Sequence, residues 1–185
     1  MSSINDKHWF VLRDLKRHNA KLPAYKMLQE PCYFGVERIF TPLVTKEYKS
    51  KGKKVVKTVP FLTDLLFVYS SRAVLDPIIE LVSTLQYRFV RGGQMNQPMI
   101  VANDEMERFM DVVDLAEKVE YYTPEQLSQE LYGKKIRIIG GPLDGKEGRL
   151  LSRRGSKRKQ LIVELQGLLS AAVEVDAQFI QLLEK

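Results

Sequence analysis

The stretch from Gly140 to Lys146 has the spacing G-x-x-x-x-G-K, which is typical of loops that bind nucleotide phosphates. Such a loop needs a Ser or Thr hydroxyl after the lysine to bind magnesium, and a helix whose N-terminus faces the phosphate. Position 147 is Glu, and the residues after it have the pattern of a strand. The sequence therefore argues against nucleotide binding at this loop.

Side chains that could perform catalysis or bind a metal are few and scattered. The chain has two histidines, His8 and His18, and one cysteine, Cys32. Neither histidine has a carboxylate or nucleophile near it in the sequence, and the set is short of the ligands of a zinc site. We expect Cys32 to be a small, buried or half-buried apolar residue rather than a nucleophile. The sequence predicts no catalytic residues, no metal site and no cofactor.

The composition is that of a folded protein without a membrane segment. The 185 residues are 44% hydrophobic and 28% charged, which supports a core and allows one or two domains. No apolar run reaches the roughly 20 residues that a membrane helix needs. The polar N-terminus, with Asp6 before the first apolar residues, lacks the pattern of a secretion signal. We therefore expect a cytoplasmic protein.

Charge is unevenly distributed along the chain. The net charge is +8 over residues 1–60, −7 over residues 61–133 and +5 over residues 134–185. A lysine-rich stretch from Lys46 to Lys57 is expected to be an exposed hairpin loop. This asymmetry is compatible with solvated surface alone, and equally with basic ends that face nucleic acid or an acidic protein.

Apolar periodicity predicts alternating strands and helices before residue 118. Strands are expected at 8–13, 36–43, 61–69 and 87–91, and helices at 19–29, 75–85 and 103–117. The order β-α-β-β-α-β-α is typical of a split βαβ, ferredoxin-like sheet with helices on one face. This part is therefore predicted to be an α+β domain with an antiparallel sheet.

The rest of the chain predicts a second, smaller domain. Residues 118–133 have no sustained apolar period, which favours a linker with one helical turn over 124–130. Beyond it, five short apolar runs separated by turn residues indicate a small, SH3-like β-barrel. The predicted domains are 1–117 and 134–185, joined by the linker.

The glycine-rich loop of the barrel carries the most specific motif. Residues 136–148, Ile-Arg-Ile-Ile-Gly-Gly-Pro-Leu-Asp-Gly-Lys-Glu-Gly, resemble the KOW motif of transcription factors and ribosomal proteins. Its positions here are Ile138, Gly140, Gly141, Pro142, Gly145 and Gly148. An ordinary glycine-rich hairpin in an unrelated barrel is the alternative.

Together with a domain that opens with Trp9-Phe10-Val11, this motif makes the chain resemble the NusG family of transcription elongation factors over residues 8–183. Further anchors are the basic loop around Gly52, the segment 60–68, the run Phe89-Val-Arg-Gly-Gly93 and the helix start at Asp104-Glu105. The spacing is more similar to operon-specific paralogues such as RfaH and the UpxY antiterminators than to the housekeeping factor.

The resemblance implies a non-enzymatic, monomeric factor that binds the clamp helices of RNA polymerase through its N-terminal domain and suppresses pausing or termination. The family's apolar docking pocket falls at Val11, Leu62, Leu65, Phe67 and Phe89. Contact with non-template DNA falls at Lys16, Arg17 and Lys21. Ordinary sheet core is the alternative for the first set, and a solvated helix end for the second. Thr63-Asp64 replaces the family's proline-glycine, so the docking pocket differs in detail.

In the family, a loop between the third and fourth barrel strands carries an aromatic residue that helps to bind ribosomal protein S10 or Rho. The corresponding residues here are Leu165, Gln166, Gly167 and Leu168. Because Gln166 stands where the aromatic is expected, we predict weak or absent Rho binding and an altered contact with S10. The leucines form either an apolar patch or barrel core. Residues 161–183 tolerate a helical period, but Gly167 and the β-branched valines argue against a switch to helix.

A ribosome-associated or RNA-binding KOW protein is the alternative function. Its phosphate-binding surface would be Arg149, Arg153, Arg154, Lys157, Arg158 and Lys159. A ribosomal KOW protein has no need of a ferredoxin-like domain, so the N-terminal sequence favours the transcription factor.

Overall fold

The computed structural model describes residues 3–16, 20–50, 52–90, 97–127, 133–152, 158–165 and 167–183. The chain divides into two compact units, Met1–Ala102 and Asn103–Lys185. The named strands of both units pair in antiparallel fashion, so the predicted α+β class is confirmed. Within the described ranges, no helix is long and apolar enough to cross a membrane.

The first unit contains the ferredoxin-like sheet. Its elements are β1 (Lys7–Asp14), α1 (Ala24–Met27), β2 (Arg38–Phe40), β3 (Leu43–Ser50), β4 (Lys53–Pro60), β5 (Leu66–Ser71), α2 (Arg72–Leu81), β6 (Leu85–Tyr87) and β7 (Ile100–Val101). The main sheet follows the order β2-β5-β1-β6, and β7 also pairs with β1. This is the strand order that a split βαβ topology requires, as predicted.

Successive residues of β1 point to opposite faces of this sheet. Phe10 and Leu12 belong to a buried cluster that includes Leu75 of α2, which we call the α2 cluster. Trp9 and Val11 lie on the other face, where they are at most 1% exposed. Burying large side chains on both faces explains why β1 is a nearly continuous apolar run rather than an alternating one.

Both helices of this unit differ from their predicted bounds. Helix α1 has four residues rather than spanning 19–29, because Pro23 keeps the residue before it out of helical angles. Pro31 then opens a 3-10 turn, Pro31–Tyr33. The sequence predicted Pro77 in the first turn of a helix over 75–85. Helix α2 instead begins directly after β5, so Pro77 lies inside the helix.

Strands β3 and β4 form a two-stranded sheet of their own, which we call the ribbon. They pair from Leu43↔Pro60 to Ser50↔Lys53, and Gly52 stands at the tip with a φ of +75°. The sequence predicted an exposed hairpin loop here. The structure shows a hairpin of two paired strands, because the valines and threonines interspersed among the lysines favour extended backbone.

The second unit contains α3 (Asn103–Leu115) and strands β8 (Val119–Tyr122), β9 (Lys135–Ile138), β10 (Glu147–Ser152), β11 (Lys159–Leu165), β12 (Leu169–Val175) and β13 (Ile180–Leu182). In the part of the chain that is described, its sheet has the order β13-β9-β10-β11-β12-β8. The five predicted barrel strands are present. Of the described residues after 161, most belong to β11, β12 and β13, and the helical part is the 3-10 turn Ala177–Phe179.

Residues 118–133 were predicted to be a linker with one helical turn, but they also contain a strand, β8. It pairs with β12 through Val119↔Val173 and Tyr121↔Ala171. Four residues are too short a run for periodicity to identify. Helix α3 packs against β11 and β12, so the compact units divide after Ala102 and not after residue 117. The separate domains 1–117 and 134–185 stay a prediction.

Tyr121 is expected to make the second unit sensitive to alkali. Burial, with a smaller contribution from Asp114, raises the pKa of Tyr121 to about 12. An unfolded tyrosine has a pKa of about 10, so the unfolded chain releases the phenolic proton first. The resulting stabilisation is complete below a pH of about 10 and is lost as the pH rises towards 12. Tyr121→Phe should therefore lose less stability over this window than the unaltered chain, as measured by Tm against pH. Parallel curves would contradict this.

Candidate functional site

A basic cavity of about 310 Å³ lies in the first unit, between the end of β1, α1 and the base of β4. Its lining includes Lys16, Lys21, Lys26 and Lys57. Lys16 and Lys21 are two of the three residues predicted to contact DNA, and the third, Arg17, lies outside the described residues. The structure brings the two together and adds two lysines that sequence reasoning missed.

Asp14 also lines this cavity, and backbone groups hold its carboxylate. Oδ1 accepts from the backbone N–H of Lys16 at 2.9 Å, and Oδ2 accepts from the backbone N–H of Ala24 at 2.6 Å. The buried side chain thus ties the end of β1 to the first residue of α1. The described lining residues include four lysines and this one carboxylate, so the net charge of the cavity is positive and favours an anion.

The lysines of the cavity are held in different ways. The Lys16 ammonium donates to the carbonyl oxygen of Leu22 at 2.9 Å, so it also orders the loop before α1. Lys21 is exposed. The Lys26 ammonium is exposed and lies 5.7 Å from the centre of the Tyr25 ring. Flexible ammonium groups beside an aromatic ring suit the phosphates and bases of nucleic acid.

Three of the five predicted polymerase-docking residues lie together on the main sheet. Val11 of β1 is paired with Phe67 of β5, so the two side chains share the face opposite the α2 cluster. Leu65 lies just before β5, two residues from Phe67, so its side chain is on the same side of the chain as that of Phe67. The Phe67 ring also lies 6.1 Å from the ring of Phe40. All three predicted residues are buried in the chain, as their sheet-core alternative requires.

The other two docking candidates are placed differently. Leu62 is half-buried in the turn before β5. Phe89 is 49% exposed, and its ring lies 6.4 Å from that of Tyr87, which packs against the α2 cluster. The structure therefore does not bring Phe89 together with Val11 and Phe67.

The KOW positions form a tight turn between β9 and β10. Gly140, Gly141 and Gly145 all have φ values between +71° and +93°, which side chains rarely adopt. The Phe179 ring covers the first two glycines: an added Cβ at Gly140 would lie only 3.2 Å from the ring, whereas one at Gly141 would be in ordinary van der Waals contact with it. Asp144 accepts a hydrogen bond from the backbone N–H of Gly140. The motif residues therefore shape the turn, and Ile138 is buried beneath it.

The predicted partner loop between β11 and β12 has little free apolar surface. Leu165 and Leu169 are paired and at most 1% exposed, so they are barrel core. Gly167 is exposed with a φ of +65°, and Leu168 is half-buried. Gln166 lies outside the described residues.

The surface required by the ribosomal alternative is partly occupied by contacts within the chain. The Arg158 guanidinium lies 4.0 Å from the Glu174 carboxylate, and the Lys159 ammonium donates to Ser152 Oγ at 2.9 Å. Arg149 also has partners in the chain. Arg153, Arg154 and Lys157 lie outside the described residues.

Of the residues considered for catalysis, the structure describes Cys32 and His8. Cys32 is exposed, and not buried or half-buried as predicted, because it lies in the short 3-10 turn at the surface. His8 packs edge-on against Phe10 with 6.0 Å between ring centres, and His18 lies outside the described residues. Over the described ranges, no cluster of His, Cys, Asp or Glu could hold a metal ion.

Comparisons with known proteins identify the first unit most clearly. The profile of the family described as "NusG: Transcription termination factor nusG" matches residues 7–110, more than half of the chain. The solved structure "Domain interaction in Thermotoga maritima NusG" is 18% identical, with a TM-score of 0.52, and the match covers 97% of this chain and 98% of that one. At this identity the match shows the fold alone. Curated protein sequences gave no match.

Proposed function

The chain belongs to the NusG family, and we propose that it is a transcription elongation and antitermination factor that binds the clamp helices of RNA polymerase through its N-terminal domain. It acts by binding rather than by catalysis, as a cytoplasmic monomer, and it suppresses pausing or termination at particular operons. The family match over residues 7–110 carries this proposal, because that segment includes all five predicted docking residues and all of the described lining of the basic cavity.

The two surfaces of the first unit suit two different components of an elongation complex. Leu62 lies half-exposed next to the buried Leu65 and provides an apolar contact for a helical protein partner. The basic cavity provides phosphate contacts through Lys16 and Lys21, with Arg17 between them in the sequence. The proposed nucleic acid is the exposed non-template DNA strand.

The second unit supplies a weaker link to other partners. The buried Leu165 and Leu169 leave Leu168 as the partly exposed leucine of the described partner loop. Contact with S10 is therefore proposed to be altered and Rho binding to be weak or absent, since one aliphatic side chain contributes only about 1.5 to 3 kcal/mol on full burial.

Co-purification from native cells tests the proposed function. Polymerase subunits should be recovered with the full chain in excess over ribosomal proteins. The ribosomal alternative predicts the reverse, and recovery of ribosomal proteins alone would overturn the proposal.

Replacing Lys16, Arg17 and Lys21 together by alanine should weaken binding to elongation complexes and flatten its dependence on salt. Each lost contact to a single strand lowers the slope of log K against log salt by about 0.7, so we expect a decrease of about 2. Lys118, Lys134 and Lys135, replaced together by alanine, are the matched control, because they remove the same charge from the second unit. If the two triple variants have equal slopes of log K against log salt, then Lys16, Arg17 and Lys21 are ordinary solvated surface residues and do not contact DNA.

A further inference from the structure

The ribbon is an exposed element with two different faces. Its eight residue pairs span about 23 Å at about 3.3 Å per residue. Directly opposed residues of an antiparallel pair share a face. Lys46/Lys57 and Tyr48/Val55 therefore lie on one face, together with Lys53, and we call this the basic face.

The opposite face of the ribbon is partly neutralised. It carries Lys49 and Lys54, which are directly opposed, and it also carries Glu47. The Lys54 ammonium lies 3.4 Å from the Glu47 carboxylate. The two faces thus have similar numbers of lysines, but an acidic residue, Glu47, is present only on the face opposite the basic face.

The basic face keeps its charge uncompensated. Lys46 and Lys57 are exposed and directly opposed, and neither makes an ion pair with any described residue. Like charges opposite each other destabilise a strand pair. An anion bound between the two ammonium groups would remove that repulsion.

An aromatic side chain interrupts the row of lysines. Tyr48 is 42% exposed and lies two residues along the strand from Lys46, and its ring contacts no other ring among the described residues. Proteins that bind single-stranded nucleic acid combine basic side chains with aromatic rings on which bases stack. Bases in a duplex are already stacked on one another, so an isolated exposed ring favours a single strand.

The basic face is continuous with the basic cavity. Lys57 belongs to both, since it lines the cavity beside Lys16 and Lys21. A strand whose phosphates occupy the cavity would therefore reach the ribbon without crossing acidic surface on that face.

We propose that the basic face of the ribbon binds single-stranded nucleic acid, with phosphates on Lys46, Lys53 and Lys57 and a base stacked on Tyr48. This contact is made by the free protein and does not depend on the proposed binding of polymerase. An acidic protein is the competing partner that the experiment must exclude.

The test measures fluorescence anisotropy of a labelled 12-nucleotide oligothymidylate with the full chain. Lys46→Gln with Lys57→Gln should reduce affinity about tenfold and lower the salt slope by about 1.4, which is two single-strand contacts. Lys49→Gln with Lys54→Gln is the matched control, because it removes an opposed lysine pair from the other face, and it should change affinity less than twofold. Lys46→Arg with Lys57→Arg should retain binding.

Tyr48 provides an independent readout. Tyr48→Leu should weaken binding at least fivefold, whereas Tyr48→Phe should bind normally, because stacking needs the ring and not the hydroxyl. Equal losses from the two lysine pairs, tighter binding to a duplex of the same length, or equal affinity for polyglutamate would each overturn the proposal. Polymerase binding by the same variants is measured separately, so that failure of the ribbon contact is distinguished from failure of the proposed function.

Discussion

Leu62→Asp is expected to weaken polymerase binding about 100-fold while the main sheet stays folded. A central apolar contact is often a hot spot of about 2 to 4 kcal/mol, and about 1.4 kcal/mol is a factor of ten. Leu62 is half-buried in the turn before β5, so water can still reach a carboxylate there when the protein is free. In the complex, the same carboxylate would be buried without a partner.

Leu65→Asp should behave differently although it is only three residues away. Leu65 is 2% exposed, so an aspartate there would be buried in the free protein and should unfold the first unit. Circular dichroism and affinity measured on the same samples separate the two effects. Leu81→Asp is the control, because Leu81 is 86% exposed on α2. Full binding by folded Leu62→Asp, or an equal loss from Leu81→Asp, would contradict the docking assignment.

The fold could be predicted from the sequence wherever a local pattern was long or chemically strict. The strand β1 has an unbroken apolar run, and the glycines of the KOW turn require positive φ angles that few other residues adopt. Both features depend on residues that are close together in the chain. The strand order of the main sheet then followed from the alternation of elements.

The candidate site was harder to predict because it depends on contacts between distant segments. Lys26 and Lys57 are far apart in the sequence, and they meet only because β4 returns to the end of β1 beside α1. Phe89 shows that the face of the sheet on which a side chain lies decides which residues it can join. It follows Tyr87 by two residues, so it keeps to the side of the α2 cluster, while Phe67 lies on the opposite face.

Gly148 differs from the other KOW glycines because a neighbouring backbone, and not a positive φ, excludes a side chain. An added Cβ would lie 2.2 Å from the carbonyl oxygen of Ile162 and 2.8 Å from Cδ1 of Leu161. Strand β11 is paired with β10 and β12, so that carbonyl cannot turn away without breaking the ladder. By contrast, a Cβ at Gly145 would meet nothing within 4 Å.

Gly148→Ala should therefore destabilise the second unit by about 3 kcal/mol or more, at the upper end of overpacking effects. Gly145→Ala is the matched control, and it should cost only about 1 to 2 kcal/mol because its φ of +75° disfavours a side chain. A unit of this size has a total stability of roughly 4 to 12 kcal/mol, so the first substitution removes a large fraction of it. Urea titration followed by the amide NMR signals of β10 and β11 measures both variants on the full chain. The backbone clash is wrong as an explanation if the two midpoints coincide.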